Sequence, residues 1–280
     1  MRDHDEELHD HDGGLSHDLP MLLSRRRALS LFSGAGLAAA LAACGSGSAS
    51  ETGLGTNPAT AGSTTGSAPS SATASGTEIP EETAGPYPAD GSNGVNVLTE
   101  SGIVRSDIRG SFGGASAVAQ GIPLTIKLTV LDTANGSVGL AGTAIYLWHC
   151  NIDGKYSLYS EGIKQENYLR GVQEADSDGS VTFTSIYPGA YSGRWPHIHF
   201  EVCLEAATTA SSKLRTSQLA LPEDASKLVY ATDGYGASTR NIARSSLDTD
   251  NVFRDGYSLQ LATLTGNPTD GMTATLNIPV

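Results

Sequence analysis

The sequence predicts an all-β fold, an antiparallel β-sandwich, and three observations predict it. Residues 123–132 (PLTIKLTVLD) alternate strictly, with Leu124, Ile126, Leu128 and Val130 on one face and Thr125, Lys127 and Thr129 on the other. That is the two-residue period of a half-buried strand. Further short apolar runs are bounded by Gly, Asp and Asn turn residues. No window sustains the 3.6-residue period of an amphipathic helix.

After 123–132, residues 143–150 (TAIYLWHC) form a short, nearly continuous apolar run between Gly142 and the turn pair Asp153-Gly154. Residues 180–187 (SVTFTSIY) follow Asp178-Gly179, and 197–204 (HIHFEVCL), 216–221 (TSQLAL) and 272–280 (MTATLNIPV) complete six predicted strands. Short strands with such turns and long irregular connections fit a sandwich. The connections 151–179 and 222–271 are long for mere links, and long ordered loops are where function concentrates.

The 280 residues carry 17 Lys+Arg against 30 Asp+Glu, a formal net charge of −13. A nucleic-acid binder working through a basic face is excluded by that balance. No apolar stretch reaches the ~20 residues of a bilayer span, which excludes a polytopic membrane protein. Three Cys are too few for a disulfide scaffold.

Composition divides the chain into three parts. Residues 1–43 read as an acidic N-terminal tail followed by a signal peptide: Arg25-Arg26-Arg27 precedes an Ala/Gly/Leu-rich run over 28–43. The arginine run resembles a twin-arginine signal, and Leu41-Ala42-Ala43-Cys44 resembles a lipoprotein cleavage box, which implies a lipid anchor on Cys44. The acidic stretch fits poorly before a signal, which makes Met21 an alternative translation start to Met1. Residues 44–77 read as a flexible tether, since 28 of the 33 residues over 45–77 are Gly, Ser, Thr or Ala. Residues 78–280 are then one folded domain of 203 residues with a net charge of −9. The expected location is exported, at the cell surface or beyond it.

The chemistry gathers at His197-Ile198-His199. Two His at i and i+2 on a strand share a face, so their rings can converge on one metal ion or simply pack in a core. The domain contains only one other His, His149. No carboxylate falls inside the His-x-His pattern to complete a two-His, one-carboxylate ferrous site, and Glu201 has the right parity but lies one step further along. Tyr is abundant nearby: Tyr156, Tyr159, Tyr168, Tyr187 and Tyr191. Phenolate is a hard anionic ligand, and a phenol with a pKa of ~10 ionises at neutral pH only if a cation drives it. Tyr with His therefore suggests Fe(III), non-haem.

Several separated segments carry a specific resemblance: LWHCNIDGKYS (147–157), NYLRGVQEADSDGSVTFTSIYPGAYSGRWPHIHFEV (167–202) and TSQLALP (216–222), with TAGPYP (83–88) and RSDIRG (105–110) upstream and LVYATDGYGASTRN (228–241) downstream. Together they resemble the intradiol ring-cleavage dioxygenases, the enzymes that open catechols between the two hydroxylated carbons, in their exported branch. The resemblance implies a sandwich of the intradiol dioxygenase type with long active-site loops. It implies metal ligands at Tyr156, Tyr191, His197 and His199, with Tyr191 also serving as base, and catalytic roles for Arg194, three positions before His197, and Gln218. It implies a catechol-type substrate and O2 as partners, a cis,cis-muconate-type product, no nucleic acid, and membrane contact only through Cys44. One departure is the short spacing from Tyr191 to His197, which leaves the substrate pocket open. Tyr87, Pro88 and Leu158 are the candidate pocket walls.

Two other readings stand beside this one. A tethered sandwich also suits a non-enzymatic surface-binding module of transthyretin-like type. His149 with His197 and His199 would give a hydrolytic Zn site. Cys150 and Cys203 lie at the ends of two strands that can be neighbours, so a disulfide and two buried thiols are both open. The oligomeric state is open as well, a homodimer among the options.

Overall fold

The computed structural model describes residues 76–204 and 212–280. The acidic tail, the signal, Cys44 and the tether up to residue 75, all expected from the sequence, lie outside the described residues.

Among the described residues, nine strands and two short helices follow in order: β1 (Pro123–Asp132), β2 (Val138–Gly139), β3 (Ala144–Trp148), β4 (Arg170–Glu174), β5 (Ser180–Ile186), β6 (His197–Cys203), β7 (Lys213–Ala220), α1 (Glu223–Tyr230), α2 (Gly236–Ile242), β8 (Thr263–Asn267) and β9 (Gly271–Pro279). They form two sheets. One has β2, β1, β9 and β8 in that order, with β5 also on β1; the other runs β4-β3-β6-β7. Their facing sides share one core: Leu124, Ile126, Leu128 and Val130 of β1, Phe183 of β5 and Ala274, Leu276 and Ile278 of β9 meet Ile145, Leu147, Ile198, Phe200, Val202 and Leu219 from the other sheet. Alternation on β1 and β9 is thus converted into burial of every second side chain.

The four-stranded sheet is buried on its outer side too. Tyr146, Trp148, Val172 and Cys203 pack there under Ala89, Val97, Ile103 and Tyr156 from the flanking loops. That second cover explains why 143–150 reads as a continuous apolar run, and why β6 is buried at every position.

All six predicted strands form. Three more were not legible: β2 has two residues, β4 (RGVQE) is polar, and β8 (TLTGN) is exposed. β4 exists through its antiparallel ladder to β3 and its fit beneath residues 105–108. A Cβ on Gly171 would sit 2.5 Å from Ile108 Cγ2, so this position requires glycine. The sandwich is also not purely antiparallel, because β1 and β9 pair in parallel from Leu124↔Met272 to Leu131↔Pro279. Alternation sets a strand's faces but carries no information on its direction. The two helices are a further correction. At eight and seven residues they are shorter than the window over which a helical period shows. α1 has Glu223 and Asp224 in its first turn, where carboxylates face the positive end of the helix dipole. No described helix is long and apolar enough to cross a membrane.

Register also decides the cysteine question. Ala144 pairs with Cys203 while Trp148 pairs with His199, so Cys150 and Cys203 lie at opposite ends of the β3–β6 ladder. Six residue steps at ~3.3 Å separate them by roughly 20 Å, against the ~7 Å a disulfide allows. Both are buried free thiols, and burial pushes Cys150 up to about 12.

Candidate active site

The outer face of the four-stranded sheet carries the predicted site. Pairings Arg170↔Trp148, Trp148↔His199 and His199↔Gln218 place these four residues in one row across β4, β3, β6 and β7. His197 shares that face two residues along. The Trp148 indole lies nearly parallel to the His199 ring, 5.0 Å between centroids and 6° between planes, so it fixes the ring's tilt.

The two tyrosines come from loops above this face. Asn151 builds the first loop: its Oδ1 accepts the amides of Asp153 (3.0 Å) and Lys155 (2.9 Å). Gly154 turns the chain with φ +77, and a Cβ there would stand 2.9 Å from Tyr191 Cβ, so glycine alone lets the two loops meet. Tyr156 follows, its amide donating to Ser160 Oγ at 2.9 Å. The second loop, Pro188–Tyr191, is held by α2: Ala190 N donates to Ser238 Oγ (2.9 Å), and Asn241 Nδ2 donates to Ala190 O (2.8 Å).

Four donor atoms converge as a result. His197 Nε2 lies 3.1 Å from His199 Nε2, 3.1 Å from the Tyr191 hydroxyl and 3.5 Å from the Tyr156 hydroxyl. His197 Nδ1 lies 2.5 Å from the Trp195 carbonyl. Nδ1–H therefore donates, and the Nε2 lone pair faces the cluster. Burial holds His197 well below the ordinary imidazole range, aided by the positive charge of Arg194. His199 is lowered likewise, by burial first and then by His197. Burial also raises the Tyr156 phenol well above its ordinary value, with Tyr191 adding to the shift and Arg194 opposing it.

These residues fit a trivalent cation. Two neutral imidazoles offer lone pairs, and two phenols can each offer a negative charge, which for Tyr156 burial alone disfavours. Among the described residues no group of three or more His, Cys, Asp or Glu comes together as a rival metal site. The three-His arrangement is not built. His149 Nδ1 is engaged with Cys150 O (2.8 Å) and Nε2 with Ser185 Oγ (2.6 Å), and burial lowers its pKa to about 4.

Arg194 and Gln218 stand beside the four donors and touch each other. Arg194 Nη2 donates to Gln218 Oε1 at 2.6 Å, and Gln218 Nε2 donates to Thr83 O at 2.8 Å. On its other side Arg194 Nε donates to Asp250 Oδ2 at 3.0 Å, with side-chain exposures of 1% and 0%. Asp250 went unrecognised in the sequence, being one of several acids inside the long 222–271 connection. Ser238 and Asn241 were missed with their helix, although they lie in a segment that carried the resemblance.

Of the candidate pocket walls, Tyr87 lies 5.1 Å from the Tyr156 ring and 5.1 Å from Tyr159. Pro88 is buried beside it, and its carbonyl accepts a hydrogen bond from the Tyr146 hydroxyl. Leu158 instead lines a 480 Å³ depression with Glu100, Phe112 and Asn167, which none of the four donors lines. The lead-in segment also touches the site through Gly85, whose φ is +70 and whose added Cβ would lie 3.2 Å from His199 Cε1. Gly85→Ala is expected to destabilise the fold by about 1–2 kcal/mol, the cost of a left-handed residue with a Cβ, and to turn the His199 ring. Thermal denaturation and ferric affinity, measured on the same preparation, check it; a variant unchanged in both would refute the contact.

Residues 114–226 match the family model Dioxygenase_C, described as Dioxygenase. A 63-residue stretch is 36% identical to chlorocatechol 1,2-dioxygenase of Rhodococcus opacus, covering 22% of this chain and 24% of that protein, so the match spans about a quarter of that relative's length. Among solved structures, an intradiol ring-cleavage dioxygenase from Tetranychus urticae superposes with a TM-score of 0.58 at 23% identity, over 72% of this chain and 94% of that one. A second solved dioxygenase gives a TM-score of 0.56 at 22% identity, over 72% and 93%. Residues 114–226 thus match a dioxygenase family model, and the sandwich shares its fold with these two solved dioxygenases.

Proposed function

We propose that this protein is a non-haem Fe(III)-dependent dioxygenase that cleaves a catechol-type aromatic between its two hydroxylated carbons, placing both atoms of O2 in a cis,cis-muconate-type product. The observation that carries the proposal is the convergence of the Tyr156 and Tyr191 hydroxyls and His199 Nε2 within 3.5 Å of His197 Nε2.

Tyr156, Tyr191, His197 and His199 would hold the ion. A ferric ion bound there would supply the Lewis acidity that favours an ionised catechol and makes its ring reactive towards O2. The two tyrosines are not equivalent. Tyr156 is buried and flanked by the Tyr87 ring, whereas Tyr191 is partly exposed at the mouth of its loop. Tyr191 is therefore the phenolate able to move aside and take a catechol proton at its hydroxyl oxygen, acting as general base. Arg194 is locked by Asp250 and Gln218 with its charge beside the four donors, where negative charge develops on the ring. Gln218 orients Arg194 and ties it to Thr83 O. Trp148 and Tyr87 pack against the His199 and Tyr156 rings, and His197, His199 and Tyr156 are buried.

The test is direct. Protein loaded with ferric iron is expected to be burgundy, through a phenolate-to-iron band, and to consume one O2 per catechol across a panel of ring-substituted catechols. Protein that stays colourless and iron-free after ferric loading overturns the proposal, and a surface-binding module then becomes the better reading. Location outside the cytoplasm with a lipid on Cys44 belongs to the same proposal, supported by Leu41–Cys44 and the preceding arginines. Mass spectrometry of membrane-fraction protein checks it: a mature chain without a lipidated Cys44 overturns it.

A further inference from the structure

Arg170 opens β4 and is 1% exposed. Among the described residues, its donors end on hydroxyl or carbonyl oxygens and none on a carboxylate. Nε reaches Ser157 Oγ (3.1 Å) and Nη2 reaches Ser157 O (2.9 Å). Nη1 reaches Tyr87 O (3.0 Å), Pro88 O (3.1 Å) and the Tyr146 hydroxyl (3.1 Å). A guanidinium buried without a counter-charge is costly, and this one is spent on tying distant pieces of chain together.

The pieces it ties are strained. Four described non-glycine residues have positive φ: Ala89 (53), Ser137 (59), Leu158 (70) and Leu169 (57). Ala89 follows Pro88, Leu158 follows Ser157, and Leu169 precedes Arg170, so three of the four adjoin a residue of this network. Left-handed backbone with a Cβ persists only where surrounding contacts enforce it. The same two segments carry the Tyr87 and Tyr156 rings, 5.1 Å apart.

We propose that Arg170 is a positioning residue for the metal centre: its unpaired charge clamps the strained 87–89 and 156–158 segments, and so delivers the Tyr156 hydroxyl to His197. The proposal rests on the ferric reading of the site, but it also predicts a backbone effect that needs no iron.

The experiment uses Arg170→Lys, Ala89→Gly and the double variant of the full chain. Lysine keeps the charge but cannot span the same acceptors. In iron-free protein, Arg170→Lys is expected to speed hydrogen exchange over 86–90 and 156–160, leaving β1 and β9 unchanged. In ferric-loaded protein it is expected to lower affinity by about 10–100-fold, the usual effect of losing an outer-shell partner. Glycine at 89 adopts positive φ without strain, so Ala89→Gly alone is expected to behave as wild type and, in the double variant, to restore part of the lost affinity and protection. Arg170→Lys with wild-type exchange and affinity overturns the proposal, and so does a double variant no better than Arg170→Lys. Wild type that binds no ferric iron overturns the proposed function, while the exchange data still decide the clamp. Should Arg170→Lys not fold, Ser157→Ala removes the acceptor of Nε together with the hydroxyl's own donation to Tyr168 O and carries the same test, with a smaller loss and the same rescue by Ala89→Gly expected, and no loss or no rescue overturning the clamp.

Discussion

Asp250→Ala is expected to destabilise the domain by about 3–5 kcal/mol, the usual consequence of removing one partner from a buried ion pair. Oδ2 accepts from Arg194 Nε at 3.0 Å and from Trp195 N at 2.6 Å, and Oδ1 accepts from Val252 N at 2.9 Å. Alanine would leave a guanidinium and two amides without these acceptors inside the protein. For a domain of this size each kcal/mol lowers Tm by about 2–4 °C, so a fall of roughly 10 °C follows. Asp250→Asn keeps an acceptor for the Val252 amide but loses the charge, and should fall between wild type and alanine. In the folded fraction, Arg194 loses its Asp250 anchor while the Gln218 contact stays, so kcat for catechol should drop more than KM changes, because the charge is needed most where negative charge builds up. A Tm unchanged on Asp250→Ala would show that the pair contributes nothing to stability.

Tyr156→Phe is expected to have the second large effect, on ferric binding. Loss of an outer-shell partner already costs about 10–100-fold in metal affinity, and loss of a ligand should exceed that. Its proton signature is more specific. A phenol must lose its proton to bind iron, and burial holds the Tyr156 proton tightly. His197 and His199 are kept neutral by burial and neighbouring positive charge, so they release none at pH 7. The sign follows: apparent ferric affinity rises with pH, because each phenol gives up a proton on binding. Wild type should release about one proton more per iron than Tyr156→Phe, so its affinity should climb about tenfold more steeply per pH unit. Competition against one chelator, run on both proteins together, cancels the chelator's own protons. Equal slopes would remove Tyr156 from the ligand set.

Particular residues show how far the sequence reaches. The shared face of His197 and His199 follows from strand parity alone, and the six strands follow from alternation and turn residues. Tyr156 and Tyr191 are different: their loops offer no period, so only the resemblance singled them out, and only the folded loops bring their hydroxyls beside His197. Asp250 and Arg170 carried no local signal. One is an acid in a long connection, the other an Arg in a polar run that becomes β4 only by pairing with β3. α2 was invisible because seven residues cannot display a helical period, yet Ser238 and Asn241 hold the Tyr191 loop.

By itself the sequence determined the class of fold, the metal-like His pair and the chemistry that Tyr with His favours, because each depends on neighbours within a few residues. Tertiary structure decided the parallel pairing of β1 with β9, the separation of Cys150 from Cys203, the removal of His149 from the donor set and the locking of Arg194 by Asp250. Each of these depends on which distant segments share a sheet register or a buried charge. That choice is made by burying the whole core at once, and no local period records it.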